Sequence, residues 1–140
     1  MYLKELTISG FKSFAKKGEL EFSAPITAIV GPNGSGKSNV AESFRFVLGE
    51  QSVKSMRGKR GEDLIWGGST QVARGNRAAV SILLDNTNRV FPLDFSEIKI
   101  IKLKDTRRLL LDYLQVRQYP GKVKVYDFTY NHFLNDLYTI

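Results

Sequence analysis

Residues 31–38 read Gly-Pro-Asn-Gly-Ser-Gly-Lys-Ser and occupy every constrained position of the phosphate-loop pattern GxxxxGK[ST]. A polyphosphate is dense with negative charge, so a loop that holds one turns several backbone N–H groups inward, and this crowds any side chain bearing a Cβ. Gly31, Gly34 and Gly36 relieve that crowding. Lys37 supplies a cation to the β- and γ-phosphates and the Ser38 hydroxyl supplies a ligand for Mg²⁺. A helix beginning there adds a partial positive charge facing the phosphates. The chemistry implied is ATP or GTP binding; the bland alternative is a glycine-rich turn that matches by accident.

Such a loop needs a buried strand entering it and a helix leaving it. Residues 25–30, Pro-Ile-Thr-Ala-Ile-Val, are short, apolar and β-branched, which predicts the strand. Val40, Ala41, Phe44, Val47 and Leu48 recur at helical spacing, with Glu42 and Arg45 off that face and Gly49 as a stop. Upstream, Leu3, Leu6 and Ile8 predict a strand over residues 1–9, ended by Gly10. Phe11 and Phe14 bracket Lys12 and Ser13, which reads as a loop pinned to the core by two rings. Leu20 and Phe22 alternate with Glu19 and Glu21, giving a second strand whose acidic face meets water.

Residues 50–68 form a basic, flexible surface segment: Lys54, Arg57, Lys59 and Arg60 lie among Gly58, Gly61, Gly67 and Gly68, anchored by Leu64, Ile65 and Trp66. An arginine in it either reaches a phosphate in the neighbouring loop or is simply solvated. Residues 78–84 predict a strand, 85–88 a polar turn, and 89–93 a partner strand that Pro92 demotes to an edge. Alternation resumes over 97–103. The chain up to there is one α/β unit without internal repeats.

The 140 residues, 42% hydrophobic and 25% charged, have the length and balance of about one soluble globular domain. With no cysteine, neither a disulfide framework nor a thiolate metal site is possible, which suits the cytosol. His132 is the only histidine, which argues against a His-based metal site or a Ser-His-Asp arrangement. No run of about 18 apolar residues occurs, and the N-terminus reads as a strand instead of a signal peptide, so nothing points to a membrane. A net charge of +7 is compatible with a polyanionic partner such as DNA without demanding one.

Four separated stretches, in order, resemble the N-terminal ATPase head of bacterial-type structural maintenance of chromosomes (SMC) proteins. They are Gly10-Phe11-Lys12-Ser13-Phe14, the loop 31–39, Phe46-Val47-Leu48-Gly49-Glu50-Gln51-Ser52, and Met56-Arg57-Gly58 with Glu62-Asp63-Leu64-Ile65-Trp66-Gly67-Gly68-Ser69. The resemblance covers about residues 1–100 and implies an α/β fold, the N-terminal half of an ABC-type P-loop ATPase head. In it a mixed sheet surrounds the phosphate-loop strand and helix, with an antiparallel β part, incomplete without a C-terminal half. It implies ATP and Mg²⁺ as cofactors, with Pro32, Asn33, Gly34, Ser35, Gly36, Lys37, Ser38 and Asn39 around the triphosphate and Lys12 and Ser13 near the nucleotide. Arg57 matches the family's arginine-loop residue, which approaches the phosphates and tunes hydrolysis. Lys59 and Arg60 fall where the family presents basic residues to DNA. The implied partners are a C-terminal half, a second head in a homodimer, kleisin-type subunits and DNA. The implied role is chromosome condensation and segregation in the nucleoid-bearing cytoplasm.

An ABC-type site also requires an aspartate and a glutamate after a second buried strand, a glutamine loop and a signature helix. In this family the acids and signature come from the C-terminal end of the chain. No apolar run ending in Asp-Glu and no Leu-Ser-Gly-Gly occurs in these 140 residues, so the sequence reads as half a site with negligible ATPase activity alone. Residues 101–140 diverge into a separate tail, aromatic and basic, with seven Lys/Arg against four Asp. Residues 107–116 suggest a helix and 122–130 a strand. Basic residues among aromatics suit stacking on single-stranded nucleic acid; the blander reading is an irregular terminus from a truncated, rearranged or frame-shifted gene. The other functional readings are a recombination or repair ATPase of the same broad class, disfavoured by residues 49–52 and 57–58, and a basic DNA-binding remnant whose phosphate loop is vestigial.

Overall fold

The computed structural model describes residues 2–50, 52–106, 113–118 and 122–127, the last two ranges as backbone alone. The strands are β1 (Tyr2–Ser9), β2 (Gly18–Glu21), β3 (Arg77–Asp85), β4 (Glu97–Asp105), β5 (Tyr113–Gln118) and β6 (Lys122–Asp127). They form one sheet in the order β2-β1-β3-β4-β5-β6, with every pairing among the described residues antiparallel. In its register Leu6 pairs with Ile82 and Ile8 with Val80. All four are buried and turned to the same face, where α1 (Lys37–Val47) packs over β3 and β4. The rings of Phe11 and Phe46 meet there with centroids 5.3 Å apart. Lys102, opposite Val80 on β4, lies on this core face as well. Its ammonium sits 4.9 Å from the Phe46 ring centroid, so its apolar stem is buried while the cation finds a π-face.

The loop after β1 follows the sequence reading. Phe11 is fully buried and Phe14 packs on the core. The loop is stitched to the segment after the 3₁₀ turn (Gly61–Leu64) by Lys12 N–H to the Leu64 carbonyl (3.0 Å) and Trp66 N–H to the Gly10 carbonyl (2.8 Å). These bonds hold Lys12 and Ser13 against the side of α1. The segment 50–68 is anchored more deeply than Leu64, Ile65 and Trp66 suggest, because Met56 is also 1% exposed and ties the turn before Gly58 into the core.

Four expectations are corrected. Residues 25–30 form no strand: Ile26 and Val30 are 90% and 88% exposed, and no described segment pairs with them. A strand is a pairing relation, and an apolar, β-branched run without a ladder partner has nowhere to place its backbone polar groups except water. Residues 89–93 are not the partner of β3 either. The buried Asn86 side chain donates to the carbonyls of Phe91 (3.2 Å), Leu93 (3.4 Å) and Phe95 (2.9 Å) and accepts from the Phe91 N–H (2.9 Å). That curls the segment into a loop and leaves β4 to pair from Glu97 onward.

On α1 the buried face is Val40, Glu42, Ser43, Phe46 and Val47. Ala41 and Leu48 instead face water, and Glu42 is drawn inward by cations described below. Of the helix expected over 107–116, residues 107–112 lie outside the described residues, while 113–116 belong to β5, where pairing with β6 overrides local propensity. β6 agrees with the strand expected over 122–130, of which 128–130 lie outside the described residues.

Candidate nucleotide-binding site

The loop 31–36 delivers the chain into α1 through two left-handed glycines, Gly34 (φ +81°) and Gly36 (φ +93°). At Gly34 the backbone angle alone demands glycine, since a Cβ there would meet nothing within 4 Å. Gly36 is constrained twice, because a Cβ would also stand 3.2 Å from the Ser13 hydroxyl oxygen. α1 then begins without a side-chain cap and without an acidic residue in its first turn. A helix start left in that condition presents N–H groups and positive partial charge to an anion.

The Lys37 ammonium arches back over the loop and donates to the carbonyls of Gly31 (2.6 Å) and Pro32 (2.7 Å). The cation is thus held at the mouth of the loop, away from the core. Ser38 is exposed on the first turn, and Pro32, Asn33 and Ser35 are exposed along the loop. On the loop's apolar side lies an open cleft of about 370 Å³, walled by Phe14, Leu20, Ile29, Val30 and Val40 with Lys37 at its rim. Among the described residues no group of three or more His, Cys, Asp or Glu side chains is placed to hold a metal, and Ser38 is the hydroxyl ligand candidate.

Three other expected residues converge on the helix start. Asn39 donates from Nδ2 to the Ser13 hydroxyl (2.7 Å) and accepts at Oδ1 from Arg57 Nη2 (3.1 Å). Arg57 Nε also bonds the Glu42 carboxylate, and Lys12 Nζ bonds the other oxygen of that carboxylate together with the Met56 carbonyl. The adjacent Lys12 and Ser13 and the sequence-distant Arg57 therefore stand in one polar chain with Asn39 and Glu42. Glu42 escaped the sequence reading because helical periodicity put it outside the apolar face. The only signal was an acid one turn beyond Ser38 in a chain with two otherwise unmatched loop cations. Burial by itself raises the Glu42 pKa, and the hydrogen bonds and charges of Lys12 and Arg57 outweigh it, so the carboxyl is held below its ordinary 4.5.

Lys59 and Arg60 stay apart from this cluster. Their side chains are exposed, and their backbone N–H groups both donate to Asp63 Oδ2 at 2.7 Å, which lowers the Asp63 pKa.

This fold and loop are those of the N-terminal half of an ABC-type P-loop ATPase head. The family model of the RecF/RecN/SMC N terminal domain matches residues 2–117, and the chain belongs to that family. It is 46% identical to the chromosome partition protein Smc of Halothermothrix orenii over 80% of this chain and 53% identical to that of Lactiplantibacillus plantarum over 73%. It spans only 11% and 9% of the lengths of those curated relatives. Among solved structures it is similar to an SMC ATPase studied for ATP-driven dimerization and DNA-stimulated activation, with TM-score 0.80 and 35% identity over 99% of this chain and 78% of the other. It is also similar to the Pyrococcus furiosus Smc head with an extended coiled coil bound to the C-terminal domain of ScpA, with TM-score 0.79 and 35% identity over 98% of this chain and 32% of the other. No helix among the described residues is long and apolar enough to cross a membrane.

Proposed function

We propose that this chain is the ATP–Mg²⁺-binding N-terminal half of a chromosome-partitioning ATPase head, and that it hydrolyses ATP only when a C-terminal half and an opposing head complete the site. The observation that carries this reading is the loop ahead of α1. Two left-handed glycines, an uncapped helix start and the Lys37 ammonium all lie at one mouth. Phosphoryl transfer needs placement and charge neutralisation more than covalent chemistry, and these groups supply both. Pro32, Asn33, Gly34, Ser35 and Gly36 wrap the phosphates, Ser38 offers its hydroxyl to Mg²⁺, which neutralises phosphate charge when bound, and Asn39, Lys12 and Ser13 line the flank. Arg57 adds a guanidinium.

The apolar run 25–30 supports the need for a second half, since no described segment pairs with its backbone and the side chains of Ile26 and Val30 are almost fully exposed. The relatives' role in chromosome partition and a solved head's complex with ScpA support a second head, a kleisin-type subunit and DNA as partners, with Lys59 and Arg60 toward DNA, in the nucleoid. Calorimetric titration with ATP–Mg²⁺ tests the reading: Lys37→Ala is expected to lower affinity at least about ten-fold while leaving any DNA affinity intact. Equal ATP affinity in both proteins overturns it.

A further inference from the structure

Glu42 is the meeting point of three segments that the sequence keeps apart. Its side chain, 6% exposed, is shared between Lys12 from the loop after β1 and Arg57 from the turn before Gly58. Both cations sit on left-handed backbone, φ +49° for Lys12 and +54° for Arg57, and the only other non-glycine residue in that region among those described is Arg89. Such backbone persists where surrounding contacts over-determine it, and here both instances converge on one carboxylate. Glu42 takes the Nε edge of Arg57 and Asn39 takes Nη2, while the Arg57 side chain as a whole remains 59% exposed. The guanidinium is therefore fixed at its inner edge and open at its outer one. Through Asn39 and the Ser13 hydroxyl it is linked to the Gly36 entry of α1.

We propose that Glu42 is a positioning residue: by clamping Arg57 against the flank of the phosphate loop, it aims the free edge of the guanidinium at the outermost phosphate and so makes the loop prefer a nucleoside triphosphate over the diphosphate. This rests on the nucleotide-binding reading given above. A planar fork fixed at one edge recognises an oxyanion with the other, and recognition is lost if the fork swings freely on its stem. Lys12 keeps the Glu42 carboxylate ionised and in place, and its own bond to the Met56 carbonyl ties the turn bearing Arg57 to the same point.

The test is titration of the full chain with ATP–Mg²⁺ and with ADP–Mg²⁺, read as the ratio of the two dissociation constants and accompanied by thermal melts. Glu42→Gln keeps the shape and removes the charge; Arg57→Lys keeps the charge and removes the fork. Each is expected to reduce the preference for ATP about ten-fold. The double variant should lose no more than either single change, because both break one contact. A purely structural role for Glu42 would lower the melting temperature and leave the ratio unchanged. If Glu42→Gln does not fold, Arg57→Lys, at a mostly exposed position, carries the decision. A folded Glu42→Gln or an Arg57→Lys variant with the wild-type ratio overturns the proposal. Lys37→Ala distinguishes the two levels: if it weakens both nucleotides while the ratio survives in the other variants, Glu42 is misassigned and the loop stands. If it weakens neither, the loop reading itself fails.

Discussion

Gly10 lies directly against the backbone of Arg77: a Cβ on Gly10 would stand well under 3.0 Å from the Arg77 carbonyl oxygen, and Gly10 itself has φ +63°. The close approach lets β1 turn into the loop that carries Lys12 and Ser13 without parting from β3. Gly10→Ala must move backbone or break the turn, and it is expected to cost on the order of 3 kcal/mol. Gly67→Ala, where a Cβ meets nothing within 4 Å, serves as the control and should change stability by less than about 0.5 kcal/mol. Urea midpoints measure both; similar losses at the two positions would contradict the close approach.

The chain alone is expected to show negligible ATP turnover, because its sequence holds no apolar run ending in the Asp-Glu pair that places Mg²⁺ and activates water. A steady-state phosphate-release assay checks this, first alone and then with a C-terminal head half added in excess. Turnover should appear only with the second half and vanish in Lys37→Ala. Substantial turnover by the purified chain, abolished by Lys37→Ala, would sink the half-site reading.

Two apolar residues that look alike in sequence should behave oppositely. Phe46 is 2% exposed and packs against Phe11, so Phe46→Ala is expected to cost about 3–5 kcal/mol. Val30 is 88% exposed, so Val30→Thr should shift the isolated chain's stability by less than about 0.5 kcal/mol. Val30→Lys should be equally silent in the isolated chain and should weaken capture of a C-terminal half in a pull-down. A large loss of stability from Val30→Thr would mean that the segment is covered after all.

Acid should release the clamp on Arg57. The Glu42 pKa is lowered on folding from its ordinary 4.5, so the stabilisation is fully present above that value and is lost as the pH falls through the folded-state pKa. Asp63 and Asp85 are lowered as well, by backbone N–H groups and by Thr87 respectively, so acid sensitivity of the whole chain does not isolate Glu42. The difference between wild type and Glu42→Gln does. Unfolding free energies of the two from urea titrations should differ by about 1–3 kcal/mol near neutral pH and converge as the pH falls below the ordinary 4.5 and through the folded-state pKa. A difference that does not shrink with pH at any acidity at which both proteins stay folded would show that the charge on Glu42 contributes nothing.

What the sequence determined by itself was everything that depends on neighbours along the chain. The phosphate loop is eight consecutive residues, so its glycines, lysine and serine were legible at once, and the turn they form is local. Alternation in β2 and β4 was legible for the same reason, since a period-two pattern is written into each strand separately. Tertiary structure decided whatever depends on a partner. Residues 25–30 carry every local mark of a strand and form none, because a ladder needs a second backbone that no described segment provides. Asn86 removed the expected partner of β3 by bonding the loop's carbonyls with a single side chain. Glu42 looked like a solvated helix acid until folding brought Lys12 and Arg57 to it from either side. Charge and apolarity are properties of residues, whereas pairing and burial are properties of pairs, and a chain discloses the second kind only when it closes on itself.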